Sequence, residues 1–116
     1  MHEISLVRTI FRTLEEQFQL EELERIEAIQ LKIGPLANVE PVLLQNAYEA
    51  VIETEVPRFK GTTLKVNYIP ILVRCAACDT TSEVYNYRFV CGACGVPCAQ
   101  VVQGNELLIE QVVLRD

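Results

Sequence analysis

The sequence has very little histidine and no long hydrophobic run. His2 is the only histidine among 116 residues, so no serine–histidine–acid set and no paired acid–base site can be assembled around it, and we do not expect an enzyme. No apolar run reaches the ~20 residues of a membrane span. The first residues also lack the apolar core of a cleavable signal, which predicts a cytoplasmic protein with no membrane partner.

The chain also lacks positive charge. Its 10 basic residues are outnumbered by 16 acidic ones, which gives a net charge of −6. Nucleic-acid binding needs a basic face, so this balance argues against a nucleic-acid partner. Half of the residues are hydrophobic and none lies in a low-complexity tract, which predicts one folded domain, or one small domain plus a metal-held lobe.

Four of the five cysteines form two Cys-x-x-Cys knuckles. Cys75 and Cys78 form the first knuckle, and Cys91 and Cys94 form the second after twelve intervening residues. Two residues between cysteines let one tight turn direct both sulfurs at one ion, so this spacing predicts a closed four-thiolate zinc site. Two disulfides or a redox dithiol are the alternatives. They are disfavoured because no secretory signal is present and because a redox protein would not need two matched pairs.

The surroundings of the knuckles differ. Gly92 and Gly95 in the second knuckle tolerate the backbone angles of a tight turn, whereas the first knuckle has no glycine and is followed by Asp79. The fifth cysteine, Cys98, is a spare ligand, a redox thiol or a small buried hydrophobe, and the last role is the commonest for an isolated cysteine. Residues 83–90 between the knuckles are expected to form a short hairpin arm.

Two amphipathic segments predict helices. Apolar residues from Ile4 to Phe18 recur at helical spacing, so the amino terminus lies at or just before the start of a helix. Asn38 or Glu40 opens the second helix, with Pro41 in its first turn. Residues 15–27, which hold six glutamates, are interpreted either as a solvated helix end and loop or as a docking face for a basic partner.

Three segments alternate in the manner of strands. They cover residues 26–33, 63–68 and 107–114, and the segment 71–73 continues extended towards the first knuckle. The resulting fold class is a small α/β protein of the α+β type: two helices on a three-stranded sheet with an inserted zinc-ribbon lobe. We expect residues 1–70 plus 104–116 to form the α/β domain and residues 71–103 to form the zinc-binding ribbon domain.

His2 lies next to the amine of the chain. An α-amine, an imidazole one residue later and the intervening amide nitrogens can close fused five- and six-membered chelate rings. Such nitrogen-rich sets suit Ni²⁺ and Cu²⁺. Taken alone, this is a weak signal for a metal site, because many proteins have a histidine near the start that binds nothing.

A wider pattern resembles a known family. Met1-His2-Glu3-Ile4-Ser5, Leu31-Lys32-Ile33-Gly34, the paired knuckles and Gly104-Asn105-Glu106-Leu107 occur in this order. Together they resemble the HypA/HybF family of nickel metallochaperones for [NiFe]-hydrogenase maturation, and the resemblance covers essentially the whole chain. Family members often have a glycine after the first knuckle, where this chain has Asp79, and a proline after the first cysteine of the second knuckle, where it has Gly92.

The resemblance implies a function and two metal sites. It implies a Ni²⁺ cargo site at Met1, His2 and Glu3, and a structural Zn²⁺ at the four knuckle cysteines. It also implies two partners, a nickel-handling GTPase of the HypB type and the hydrogenase large-subunit precursor. A zinc-ribbon interaction module in transcription or translation is the main alternative, and the net charge of −6 counts against it.

Overall fold

The computed structural model describes residues 2–116 and has a mixed α+β architecture. Its elements are α1 (Glu3–Gln17), α2 (Leu20–Leu23), β1 (Ile26–Ile33), α3 (Pro41–Thr54), β2 (Thr63–Tyr68), β3 (Leu72–Arg74), β4 (Thr81–Glu83), β5 (Gln100–Gln103) and β6 (Leu107–Leu114). Short 3₁₀ turns cover Pro35–Ala37 and Pro57–Phe59. The predicted fold class is confirmed, and the long helices and the three predicted strands lie within a residue or two of their expected positions.

The larger sheet has the order β2-β1-β6. Strand β2 runs parallel to β1 because α3 provides the crossover between them, whereas β6 is antiparallel to β1. The β1–β2 register is continuous, but the β1–β6 register shifts at two places. The pairing of β2 with β1 is therefore regular, whereas the pairing of β6 with β1 is irregular.

Helices α1 and α3 pack together to form the main core. Val7, Ile10, Phe11 and Leu14 of α1 are all buried. The Phe11 ring stacks on Tyr48 of α3 with 5.6 Å between ring centroids. Pro41 occupies the first turn of α3, where a missing N–H leaves no intrahelical hydrogen bond unmade. Among the helices described for residues 2–116, none combines the length and hydrophobicity needed to cross a bilayer.

A second, smaller sheet has the order β4-β3-β5 and a core of its own. That core consists of Ile71, Val73, Cys75, Val84, Cys91 and Cys98. The expected hairpin arm between the knuckles is reduced to an isolated bridge from Tyr85 to Arg88. Asn86 and Tyr87, between them, have φ angles of 54° and 58°, as in a tight turn. Neither β5 nor the one-turn helix α2 is among the predicted elements.

The two cores meet where two glycines touch. Gly34 N–H donates to Glu106 O at 2.9 Å, and Leu36 N–H donates to Gly104 O at 2.9 Å. A Cβ atom on Gly34 would lie only 2.1 Å from Gly104 O, so a side chain at position 34 would force the two segments apart. Leu36, two residues later, packs against the smaller core. The molecule is elongated, with principal extents of 53 × 27 × 19 Å.

Candidate metal centres

The four knuckle cysteines converge on one point. Their sulfur atoms all lie within 4.8 Å of one another, and the Cys75–Cys94 and Cys78–Cys91 Sγ–Sγ distances are both 3.6 Å. At a Zn–S distance of ~2.3 Å, the edge of a thiolate tetrahedron is about 3.8 Å. The group therefore has the size and donor set of a structural zinc site.

Both knuckles are built on the same turn. Asp79 N–H donates to Cys75 O at 2.8 Å, and Gly95 N–H donates to Cys91 O at 2.9 Å. The residue that closes each turn has a left-handed backbone conformation, with φ of 59° at Asp79 and 77° at Gly95. Aspartate is among the few non-glycine residues that tolerate this conformation. Arg74 Nε also donates to Asp79 Oδ1 at 2.7 Å, so the absence of glycine in the first knuckle does not prevent the turn.

Backbone N–H groups point at the sulfur atoms. Ala93 and Cys94 donate to Cys91 Sγ at 3.3 and 3.4 Å. These bonds, that from Cys94 first, lower the pKa of Cys91 to about 6. Hydrogen bonding from the Cys78 backbone, and more weakly from Ala77, likewise lowers the pKa of Cys75. Hydrogen bonding of Cys94 with the sulfurs of Cys91 and Cys75 raises the pKa of Cys94. The fold thus favours the thiolate, the form in which cysteine binds a metal, at Cys75 and Cys91.

Cys98 lies outside this group of four. Its side chain is buried in the smaller core, and its Sγ donates to Val96 O at 3.6 Å. Burial raises the pKa of this thiol to about 11, which keeps it protonated and unreactive at neutral pH. Cys98 is therefore buried, as expected for the commonest role of an isolated cysteine, that of a small hydrophobic residue.

The second candidate site, at the amino terminus, is far from the cysteines in sequence. Met1 lies outside the described residues. His2 is exposed and immediately precedes α1, which begins at Glu3. Because the first N–H groups of a helix have no acceptor within it, the amide nitrogens at this end are not committed to backbone hydrogen bonds.

The side chain of Glu3 makes a contact that the sequence does not reveal. Its Oε2 accepts a hydrogen bond from Glu40 N–H, the residue preceding α3, at 3.0 Å. This bond lowers the pKa of Glu3 and ties the start of α1 to the start of α3. No local pattern could have identified it, because 37 residues separate the partners.

An apolar groove adjoins His2. It has a volume of about 430 Å³ and is bounded by His2, Glu3 and Ile4 together with one flank of α3. Ile4 and Leu43 on its wall are 45% and 53% exposed. The exposed histidine is therefore bordered by a surface that another protein can cover.

Comparison with known proteins identifies the family. Residues 1–114 match the family model described as "Hydrogenase/urease nickel incorporation, metallochaperone, hypA". The chain is 34% identical over 112 residues to the hydrogenase maturation factor HypA of Azotobacter chroococcum mcd 1, covering 97% of each chain. It is 31% identical over 116 residues to that of Desulfitobacterium hafniense, covering 100% of each.

Solved structures have the same fold. The solution structure of the Ni metallochaperone HypA from Helicobacter pylori matches with a TM-score of 0.64 and 23% identity, over 98% of this chain and 97% of that one. A second solution structure of a HypA protein matches with a TM-score of 0.68 and 22% identity. Since the family model spans the sequence almost from end to end, the chain belongs to the HypA family of nickel metallochaperones.

Proposed function

We propose that this chain carries Ni²⁺ on its amino terminus, with Met1, His2 and Glu3 as the ligand residues, and delivers it for [NiFe]-hydrogenase maturation. The observation that supports this most strongly is the exposed His2 at the free end of α1, beside uncommitted amide nitrogens. The imidazole and the amide nitrogens, with the chain amine, are the donors that Ni²⁺ prefers.

The accessibility of this end suits a carrier. A carrier has to hold the ion against bulk ligands and then release it to a partner. An exposed terminus with one imidazole can be rearranged by a docking protein, whereas a closed thiolate cage cannot. Glu3, held by Glu40 N–H, keeps the terminus against α3 and beside the apolar groove.

We propose that Cys75, Cys78, Cys91 and Cys94 hold the structural zinc. When bound, zinc would cross-link the two knuckles and so stabilise a lobe whose own hydrophobic core is small. On this basis we propose residues 71–103 as a zinc-binding domain and residues 1–70 plus 104–116 as the nickel-binding domain. Two separate hydrophobic clusters support that division.

The partners follow from the delivery task. We propose a nickel-handling GTPase of the HypB type and the hydrogenase large-subunit precursor, in the cytoplasm, where thiols stay reduced. The chain itself would act as a carrier rather than a catalyst. The acidic balance that argues against nucleic acid also argues against a role as a transcription or translation ribbon.

Nickel titration of His2→Ala tests the proposal. The untagged, zinc-loaded protein should bind one Ni²⁺, and His2→Ala should lose specific nickel binding while its zinc content is unchanged. Arg12→Ala, an exposed change further along α1, is the matched control and should bind nickel as the native chain does. Native nickel affinity in His2→Ala would overturn the terminal site.

A further inference from the structure

The edge of the larger sheet at β2 is open to another strand. Strand β2 is the last in the order β2-β1-β6, and its register with β1 is unbroken. The pairing of β6 with β1 shifts register at two places, and at one of them the extra residue, Glu110, lies in β6. Such bulges are a common way of blocking an edge. If either edge accepts a further strand, β2 is the better template.

Hydrogen bonds at the end of β2 identify which backbone groups point outward. Ile69 N–H donates to Ile33 O at 3.0 Å, so odd-numbered residues here direct their backbone groups towards β1. Even-numbered residues then direct theirs away from the sheet. Gln45 Nε2 reaches Leu64 O at 3.3 Å, which agrees with this assignment. The outward groups of Val66 and Tyr68 have no strand beyond them within the described residues.

A cavity lies beside this edge on the side that faces the helices. It has a volume of about 640 Å³ and lies between α3 and residues 60–64. Tyr48 and Ile52 provide apolar surface, and Glu49 and Glu53 stand one helical turn apart on the same wall. Lys60 also lines the cavity, so the two glutamates leave it with a net negative charge. Both carboxylates are exposed, and neither belongs to an ion pair among the described residues.

We propose that the β2 edge is a docking site for an extended segment of a partner protein that carries a lysine or arginine. The backbone of the segment would pair with Val66 and Tyr68. Side chains of an added strand alternate between the two faces, so its basic residue would enter the cavity beside Leu64. There the aliphatic stem lies against Ile52, and the cation lies between Glu49 and Glu53.

Charge distinguishes this occupant from a second copy of the chain. With Glu49, Glu53 and Lys60, the cavity lining of each copy has a net negative charge. Two copies joined at β2 would therefore bring like net charges together, which opposes such pairing. The site also lies across α3 from the amino terminus, because His2 borders the other flank of that helix. Occupation of the β2 edge therefore leaves the proposed nickel ligands free.

Peptide titration followed by amide NMR tests the proposal. The probes are three capped heptapeptides, Thr-Val-Thr-X-Thr-Val-Thr, with Lys, Ala or Glu at X, added to the zinc-loaded, ¹⁵N-labelled chain. The Lys peptide should shift the amides of Leu64, Val66 and Tyr68 and bind at least fivefold more tightly than the Glu peptide. Equal binding of the two peptides, shifts spread over the whole molecule, or no binding at millimolar peptide would overturn the proposal.

Two variants separate the charge from the strand edge. Glu49→Lys with Glu53→Lys should reverse the preference, so that the Glu peptide binds more tightly. Glu16→Lys with Glu21→Lys changes the net charge equally at other exposed positions and should leave the preference unchanged. Val66→Pro removes an outward N–H and should abolish binding with zinc and nickel content unchanged. An unchanged preference in the first variant, or a shift to dimer on sedimentation, would contradict the site.

Discussion

The two proposed metal centres differ in how they are built. At the zinc end, two of the four sulfur atoms belong to buried residues, and backbone N–H groups already point at Cys91. At the other end, His2 is exposed, and the Glu3–Glu40 hydrogen bond ties the start of α1 to the start of α3. A preformed, half-buried thiolate set suits an ion that stays, whereas an exposed terminus suits an ion that leaves.

Removal of a zinc ligand should have the largest effect. Structural zinc sites contribute on the order of 10 kcal/mol to folding in small peptides, so Cys91→Ala should lose zinc and loosen residues 71–103. The larger sheet should persist, because its core is separate. Zinc analysis with amide hydrogen exchange would check this. Full zinc content in the variant, or complete unfolding of the larger sheet, would contradict the comparison.

Disrupting the contact between Gly34 and Gly104 should have the next largest effect. Gly34→Ala would place a Cβ atom 2.1 Å from Gly104 O and should cost about 3 kcal/mol or more of unfolding free energy. Gly61→Ala is the control, because its Cβ atom would meet nothing within 4 Å and only its φ of 94° opposes the change. Denaturant unfolding compares them. A smaller loss for Gly34→Ala than for Gly61→Ala would show that the junction is not rigid.

Lowering the pH should change the free energy of nickel binding by less than Gly34→Ala changes the free energy of unfolding. Free imidazole and α-amino groups both gain protons as pH falls from about 8 to 6, and protons compete with the metal for them. Nickel affinity should fall at least roughly tenfold over that range, ~1.4 kcal/mol, while zinc remains bound. Calorimetric titration at several pH values would measure it. A constant nickel affinity would mean that neither nitrogen is a ligand.

Cys98→Ser should have the smallest effect. The four thiols that lie within 4.8 Å of one another complete a tetrahedral site without Cys98. Zinc content, measured by elemental analysis, should therefore stay at one per chain. Loss of zinc would place Cys98 in the ligand set and remove one of the four.

Most of the fold and the cysteine site could be predicted from local sequence patterns. Contacts between residues far apart in the sequence could not. Alternation identified β1, β2 and β6, and the Cys-x-x-Cys spacing identified the four sulfurs that the structure brings together. The short strand β5 has only four residues, and its sheet partner β3 lies about thirty residues earlier, so it left little periodic signal. The Glu3–Glu40 hydrogen bond was missed for the same reason.

A two-residue extension tests the central comparison most directly. Gly-Ser placed before Met1 converts the Met1 amine into an amide nitrogen, which holds its proton far more strongly, and leaves His2 untouched. Native and extended chains, each titrated with Ni²⁺ and analysed for zinc, should differ at least roughly tenfold in nickel affinity, ~1.4 kcal/mol, and should not differ in zinc. Equal nickel affinity, or a loss of zinc on extension, would contradict the assignment of nickel to the exposed terminus and zinc to the cysteines.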